Sequence, residues 1–197
     1  TVDCRLSHHI IPSVHGIAVL DAGGQYCHLL ARRVREAGVQ SHVLPIDTKA
    51  ELLSGISGII ISGGPRSVTE ADSPRVDPSI LAMGVPILGI CYGHQLLAAS
   101  MPGGVVKPSY SREYGLATLR LKTGLKGVDL FAGIPESSRV WVSHGDSVEK
   151  LPDGFEVIGA TADCAVAALG HAGKKIYGVQ FARDGRCADQ LTFVFQF

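Results

Sequence analysis

VPILGICYGHQLL, residues 85–97, carries an apolar run into a helix-like pattern through a cysteine with a glycine two residues away on each side. VPILGI reads as a buried strand and HQLLAAS as the start of a helix, which is a change of hydrophobic period within a few residues. Gly89-Ile90-Cys91-Tyr92-Gly93 fits the G-x-nucleophile-x-G turn, in which the nucleophile sits on a tight bend between strand and helix. Side chains at the two glycine positions would collide with neighbouring backbone in so sharp a turn. A thiol at a helix N-terminus also feels the positive end of the macrodipole, so the sequence predicts a pKa for Cys91 below the free value of about 8.5.

Working outward, GIAVLD (16–21) is a short apolar strand followed by a helix in QYCHLLARRVREAG (25–38). There Tyr26, Leu29, Leu30, Val34 and Ala37 recur at helical spacing, and Gly38 marks the stop. SHVLP (41–45) and GIIIS (58–62) are further strands, separated by a weak helix around Lys49 to Leu53. The turn-rich GGPRSVTEADSPRVDP and a short helix through Ser79 to Met83 then lead into VPILGI. Uninterrupted apolar strands alternating with helices indicate a parallel sheet covered on both faces. After Gly103-Gly104 the texture changes. LATLRLK (116–122), RVWVSH (139–144), FEVIGATA (155–162), AVAALG (165–170) and KKIYGVQFA (174–182) are turn-linked strands, expected to continue the same sheet in mixed, partly antiparallel fashion. The expected fold class is therefore α/β: one domain over 16–197 with a mostly parallel central sheet, preceded by an extension over 1–15.

Composition narrows the function classes. Eighteen basic residues balance eighteen acidic ones, which gives no global field for nucleic acid or an anionic membrane surface. The longest apolar runs fall far short of the roughly 20 residues of a membrane helix, and the first residues carry no signal-peptide core, so a cytoplasmic protein is expected. The five cysteines, Cys4, Cys27, Cys91, Cys164 and Cys187, are odd in number and include no CxxC pair. That argues against a disulfide framework and a zinc site, and no metal is expected. Outside the elbow they read as small buried hydrophobes or incidental thiols.

An acyl-transfer nucleophile needs backbone donors aimed at the oxyanion of its tetrahedral intermediate. Ser62-Gly63-Gly64-Pro65 ends the strand GIIIS, and in a parallel sheet it would share the carboxyl edge with Cys91. A Gly-Gly turn there can present an N–H beside that of Tyr92. The same turn lacks the GK[ST] ending of a phosphate-binding loop, so it does not point to nucleotide binding.

Taken in order, LDAGGQY (20–26), ISGGP (61–65), GICYGHQLLA (89–98), REYG (112–115), VSHGDSV (142–148) and YGVQF (177–181) resemble the class I glutamine amidotransferases. Within that family the chain is most similar to the glutaminase parts of GMP synthetases, on the SHGDSV segment above all. The resemblance runs from about Gly16 to Phe181. It implies a flavodoxin-like fold and a glutaminase in which Cys91 attacks the side-chain amide of L-glutamine and forms a thioester. It further implies that Gly64 and Tyr92 form the oxyanion hole, that Gln95 contacts the substrate, and that Ser143, His144 and Asp146 line or support the site. The implied partner is an ATP-pyrophosphatase or synthetase domain, fused or separate, which receives ammonia to convert XMP to GMP. No cofactor is implied for this domain, because ATP and Mg²⁺ belong to that partner.

One motif departs from the family. The family's last motif is GVQFHPE, whose histidine is the general acid/base and whose glutamate orients it. Here Phe181 is followed by Ala182, Arg183 and Asp184, so alanine stands at the histidine position and Asp184 at that of the glutamate. The tail after it is also shorter than the family's last loop and helix, although its LTFVFQF ending is similar to that hydrophobic helix. Three readings stand: a non-catalytic pseudo-glutaminase acting as a binding or regulatory module, residues missing after Phe181, or another histidine serving as base, with His144 best placed. Loss of the base costs about 10² to 10⁴ in rate.

Overall fold

The structure, a computed structural model, describes residues 15–122, 129–131 and 133–182. Asp184 lies outside the described residues, as do Cys4, Cys187 and all but one residue of the expected N-terminal extension.

The sheet has ten strands: β1 (Ile17–Asp21), β2 (Ser41–Pro45), β3 (Gly58–Ile61), β4 (Ile87–Ile90), β5 (Val105–Leu121), β6 (Ser137–Lys150), β7 (Glu156–Ala160), β8 (Ala168–His171), β9 (Ile176–Val179) and β10 (Phe181–Ala182). Their order is β10-β6-β5-β7-β8-β9-β4-β3-β1-β2. The β2-β1-β3-β4-β9 half is parallel throughout. Every pairing on the other side of β9 is antiparallel. The change of texture after Gly104 therefore marks the turn from parallel to antiparallel within one α/β sheet.

Among the described residues two helices cover the parallel half. In α1 (Cys27–Glu36) the buried residues are Cys27, Ala31 and Val34, spaced four and three apart, and they pack on Ile17, Val19 and Ile60. This face differs from the expected one at its ends: Tyr26 precedes the helix and is 62% exposed, and Ala37 is exposed. Helix α2 (Tyr92–Ser100) packs on the other face, where Leu96 and Leu97 meet the alternate strand residues Ala18, Leu20, Ile59, Ile61 and Ile87. Such alternation is what a sheet buried on both faces requires. All residues from Tyr92 to Ala98 are buried, because the long connection from β3 to β4 closes over α2 with Val68, Val76 and Ile80. The helices expected near 49–53 and 79–83 are single 3-10 turns, Ala50–Leu53 and Pro78–Ala82. Asp77 caps the second by accepting a hydrogen bond from Ser79 N–H at 3.0 Å.

The β5–β6 ribbon is far longer than the sequence suggested, 17 and 14 residues against seven and six. On β6 buried residues alternate with exposed or half-buried ones from Val140 to Val148, with Val140, Val142, His144, Asp146 and Val148 turned inward. That period of two delivers two polar side chains to an interior otherwise filled by apolar ones.

Candidate active site

Strands β1, β3, β4 and β9 run in the same direction, so the residues that follow Asp21, Ile61, Ile90 and Val179 gather at one edge of the sheet. They are tied to one another. Ala22 N–H donates to Ser62 Oγ at 2.9 Å, and Cys91 N–H donates to the Val179 carbonyl at 2.8 Å. A Cβ at Gly64 would stand 2.4 Å from the Ala22 carbonyl oxygen, so only glycine lets these two loops meet.

Cys91 sits at φ 50°, ψ −104°, one of two non-glycine residues with positive φ among those described. This backbone is held by its surroundings. A Cβ at Gly89 would meet the Gly93 carbonyl oxygen at 2.3 Å, and one at Gly93 would meet the Ile61 carbonyl oxygen at 2.3 Å. The elbow is thus pressed between β3 and the first turn of α2, and both glycines are forced by close approach. The thiol points toward the end of β9, where Sγ lies 3.7 Å from the Gln180 carbonyl oxygen. Tyr92 is the first residue of α2, and its backbone N–H has no acceptor within the helix. Gly63 flanks the cysteine from the other side, with its virtual Cβ 3.6 Å from Cys91 Cβ.

The polar residues beneath form a chain. Gln95 Nε2 donates to the Asp146 carbonyl and to Gln180 Oε1, both at 3.0 Å. His144 Nδ1 lies 3.1 Å from the same Asp146 carbonyl, so this oxygen serves as acceptor for two side chains if His144 carries its proton there. The Asp146 carboxylate accepts a hydrogen bond from Ser67 Oγ at 2.5 Å. Gln95, His144, Asp146 and Gln180 are all buried, and their mutual hydrogen bonds leave only the Gln180 amide nitrogen among their buried side-chain atoms without a partner.

The structure thus brings Cys91, Tyr92, Gly64, Gln95, His144 and Asp146 around one edge. Ser143 is different: it is exposed on the outer face of β6, in register with Tyr114, as strand alternation requires. Ser67 and Gln180 were not given a role from sequence. Gln180 lies inside the quoted YGVQF motif, whereas nothing local marks Ser67, whose partner is 79 residues away.

Electrostatics correct one expectation. Burial pushes the Cys91 thiol up to about 11, the opposite direction to that expected from the helix terminus. Among the described residues no ionic partner offsets it: Ala182, the residue after the YGVQF stretch, is an exposed residue of β10 paired with Trp141. His94, three residues after the cysteine, is not a substitute. It is fully buried, its ring lies against Gly178, and burial chiefly lowers its pKa to about 4, so it is neutral at neutral pH. Cys27 and Cys164 are buried and form no disulfide. Among the described residues there is no group of His, Cys, Asp and Glu that could hold a metal ion, and no helix long and apolar enough to cross a membrane.

A doubly covered α/β sheet with a strained cysteine at the strand-to-helix elbow and glycine turns beside it defines the class of cysteine-nucleophile acyl-transfer folds. The glutamine amidotransferase class-I family matches residues 18–181, and the chain belongs to that family. It is 52% identical over 167 residues to a glutamine-hydrolyzing GMP synthase of Caldicellulosiruptor saccharolyticus, covering 84% of this chain and 32% of the relative. A GMP synthase of Symbiobacterium thermophilum is 50% identical over the same shares. The chain therefore spans about a third of the length of these curated relatives. Among solved structures, one described as a GMP synthase subunit of Thermoplasma acidophilum superposes with a TM-score of 0.72 at 31% identity, covering 89% of this chain and 85% of that one.

Proposed function

We propose that the chain is the glutaminase part of a GMP synthase, acting in the cytoplasm with an ATP-dependent synthetase domain or subunit that uses its ammonia to convert XMP to GMP. The observation that carries this reading is the Cys91 elbow, at φ 50° between the Gly63-Gly64 turn and Gln95, in a chain about half identical to GMP synthases.

In the proposed reaction Cys91 Sγ attacks the side-chain carbonyl carbon of glutamine. The carbonyl oxygen becomes an oxyanion that accepts hydrogen bonds from Gly64 and Tyr92 N–H. Collapse breaks the C–N bond, the thiol proton leaves with ammonia, and water hydrolyses the thioester to glutamate. Both amide hydrogens of Gln95 are already donated, to Asp146 and Gln180, so its Oε1 can only accept, which suits the substrate α-ammonium group. The Asp146 carboxylate supplies a nearby opposite charge.

Proton transfer is where this chain is weak. A thiol pushed up to about 11 is almost wholly protonated at neutral pH, and Ala182 offers no base. The same two observations favour a second reading, a non-catalytic module that binds glutamine or only the synthetase. Glutamine binding by calorimetry and ammonia release, each measured with and without the synthetase, separate the two. Slow, saturable release above that of Cys91→Ala supports the glutaminase. Binding with release at the Cys91→Ala level leaves the non-catalytic module.

A further inference from the structure

We infer that Ser67 is a positioning residue that locks the oxyanion turn to the substrate pocket through the carboxylate of Asp146, an inference that rests on the glutaminase reading above. The segment from Gly63 to Val76 leaves the carboxyl edge of β3 and returns over α2. It is braced mostly within itself. Arg66 pairs with Glu70 and Asp72, and Arg75 donates to the Val68 carbonyl at 2.7 Å. Its start is pressed against Ala22 through the close approach at Gly64 and lies in ordinary contact with Cys91 at Gly63, and its far part is held by the Tyr92 hydroxyl, which donates to the Pro74 carbonyl. Between these anchors Ser67 makes a side-chain bond across the site to β6, 2.5 Å from Oγ to Asp146 Oδ2.

The direction of that bond is fixed by counting protons. A serine hydroxyl has one proton and two lone pairs. The Thr69 N–H donates to Ser67 Oγ at 3.1 Å, and Thr69 Oγ1 lies 2.7 Å from it. An ionised carboxylate only accepts, so the Ser67 proton goes to Asp146 and the Thr69 hydroxyl donates to Ser67. All three capacities of the hydroxyl are then used, which leaves it one orientation. Asp146 is held twice over: its carbonyl by Gln95, with His144 at 3.1 Å, and one carboxylate oxygen by Ser67. The remaining carboxylate oxygen is thereby turned to one direction for a cationic group of the substrate. The same bond fixes the loop three residues beyond Gly64, whose N–H must meet the oxyanion. Binding of the amino-acid end of the substrate and stabilisation of its reacting end are thus joined through one hydroxyl.

The test uses the full chain and two probes for Cys91: a chloromethyl ketone analogue of glutamine, which needs the pocket and the oxyanion hole, and iodoacetamide, which needs neither. Ser67→Ala should slow labelling by the ketone about tenfold while iodoacetamide stays within about twofold, on the magnitude of one hydrogen bond to a charged group. Ser67→Thr, which keeps the hydroxyl, should recover most of the ketone rate. In an Asp146→Asn background the Ser67→Ala change should cost much less, because the two side chains act as one unit. Equal ketone rates for wild type and Ser67→Ala would overturn the inference. So would equal slowing with both probes, the mark of a merely structural residue. If glutamine fails to protect the wild-type cysteine from the ketone, the glutaminase reading itself falls, whereas protection with an indifferent Ser67→Ala removes this inference alone.

Discussion

Cys91, which follows the interior strand β4, and Ala182, on the edge strand β10, were built to opposite standards. Around Cys91 the turn is constrained: glycines at 89 and 93 admit no Cβ, and the backbone is bonded to β9. Around Ala182 the fold offers an exposed position on a two-residue strand at the sheet edge. A cysteine set in a strained turn needs a whole fold to hold it, and that fold is present in this chain. A base needs only the right side chain at one position, which a local change in sequence removes without disturbing the core.

The comparison is sharpened most by placing the proposed base at position 182. Ala182→His should raise glutamine hydrolysis about 10² to 10⁴-fold, read as ammonia release; no gain would show that position 182 does not face the thiol. Next in size is the damage expected on the other side. Gly93→Ala places a methyl 2.3 Å from the Ile61 carbonyl and should cost about 3 kcal/mol in chemical denaturation, whereas Gly63→Ala, with only ordinary contacts at 3.6 Å, should cost under about 1 kcal/mol. A smaller effect is the pH dependence of the thiol. With a pKa near 11, labelling of Cys91 by iodoacetamide should climb about tenfold per pH unit from 7 to 9, because only the thiolate reacts; a plateau near neutrality would reveal a cationic partner. The smallest concerns His94. Its folded pKa of about 4 lies below the ordinary 6.5, so the unfolded state binds the proton first. Stability should be full above pH 6.5 and fall as the pH drops toward 4, by about 1 kcal/mol between pH 6 and 5. His94→Leu should flatten that slope.

The parallel half was legible because its strands are continuous apolar runs and its glycines stand where turns must be tight. The antiparallel half was less so. Residues 105–115 of β5 carry polar and charged residues with Pro108 among them, and only pairing with β6 makes them a strand. SHGD was read as one motif, although alternation along β6 sends His144 and Asp146 inward and Ser143 outward. The thiol pKa was misjudged because a helix terminus is visible in sequence and desolvation is not. Ser67 was invisible in a turn-rich stretch, since its meaning lies with a residue 79 positions on.

The positive φ at Cys91 carries one further consequence. Glycine would occupy that backbone with far less strain than a residue bearing a side chain, by about 1–3 kcal/mol. Cys91→Gly should therefore yield a sturdier fold with no nucleophile at all. Robustness and reactivity are opposed at this one position, and a search for thermostable variants of the domain would be drawn first to the change that disarms it.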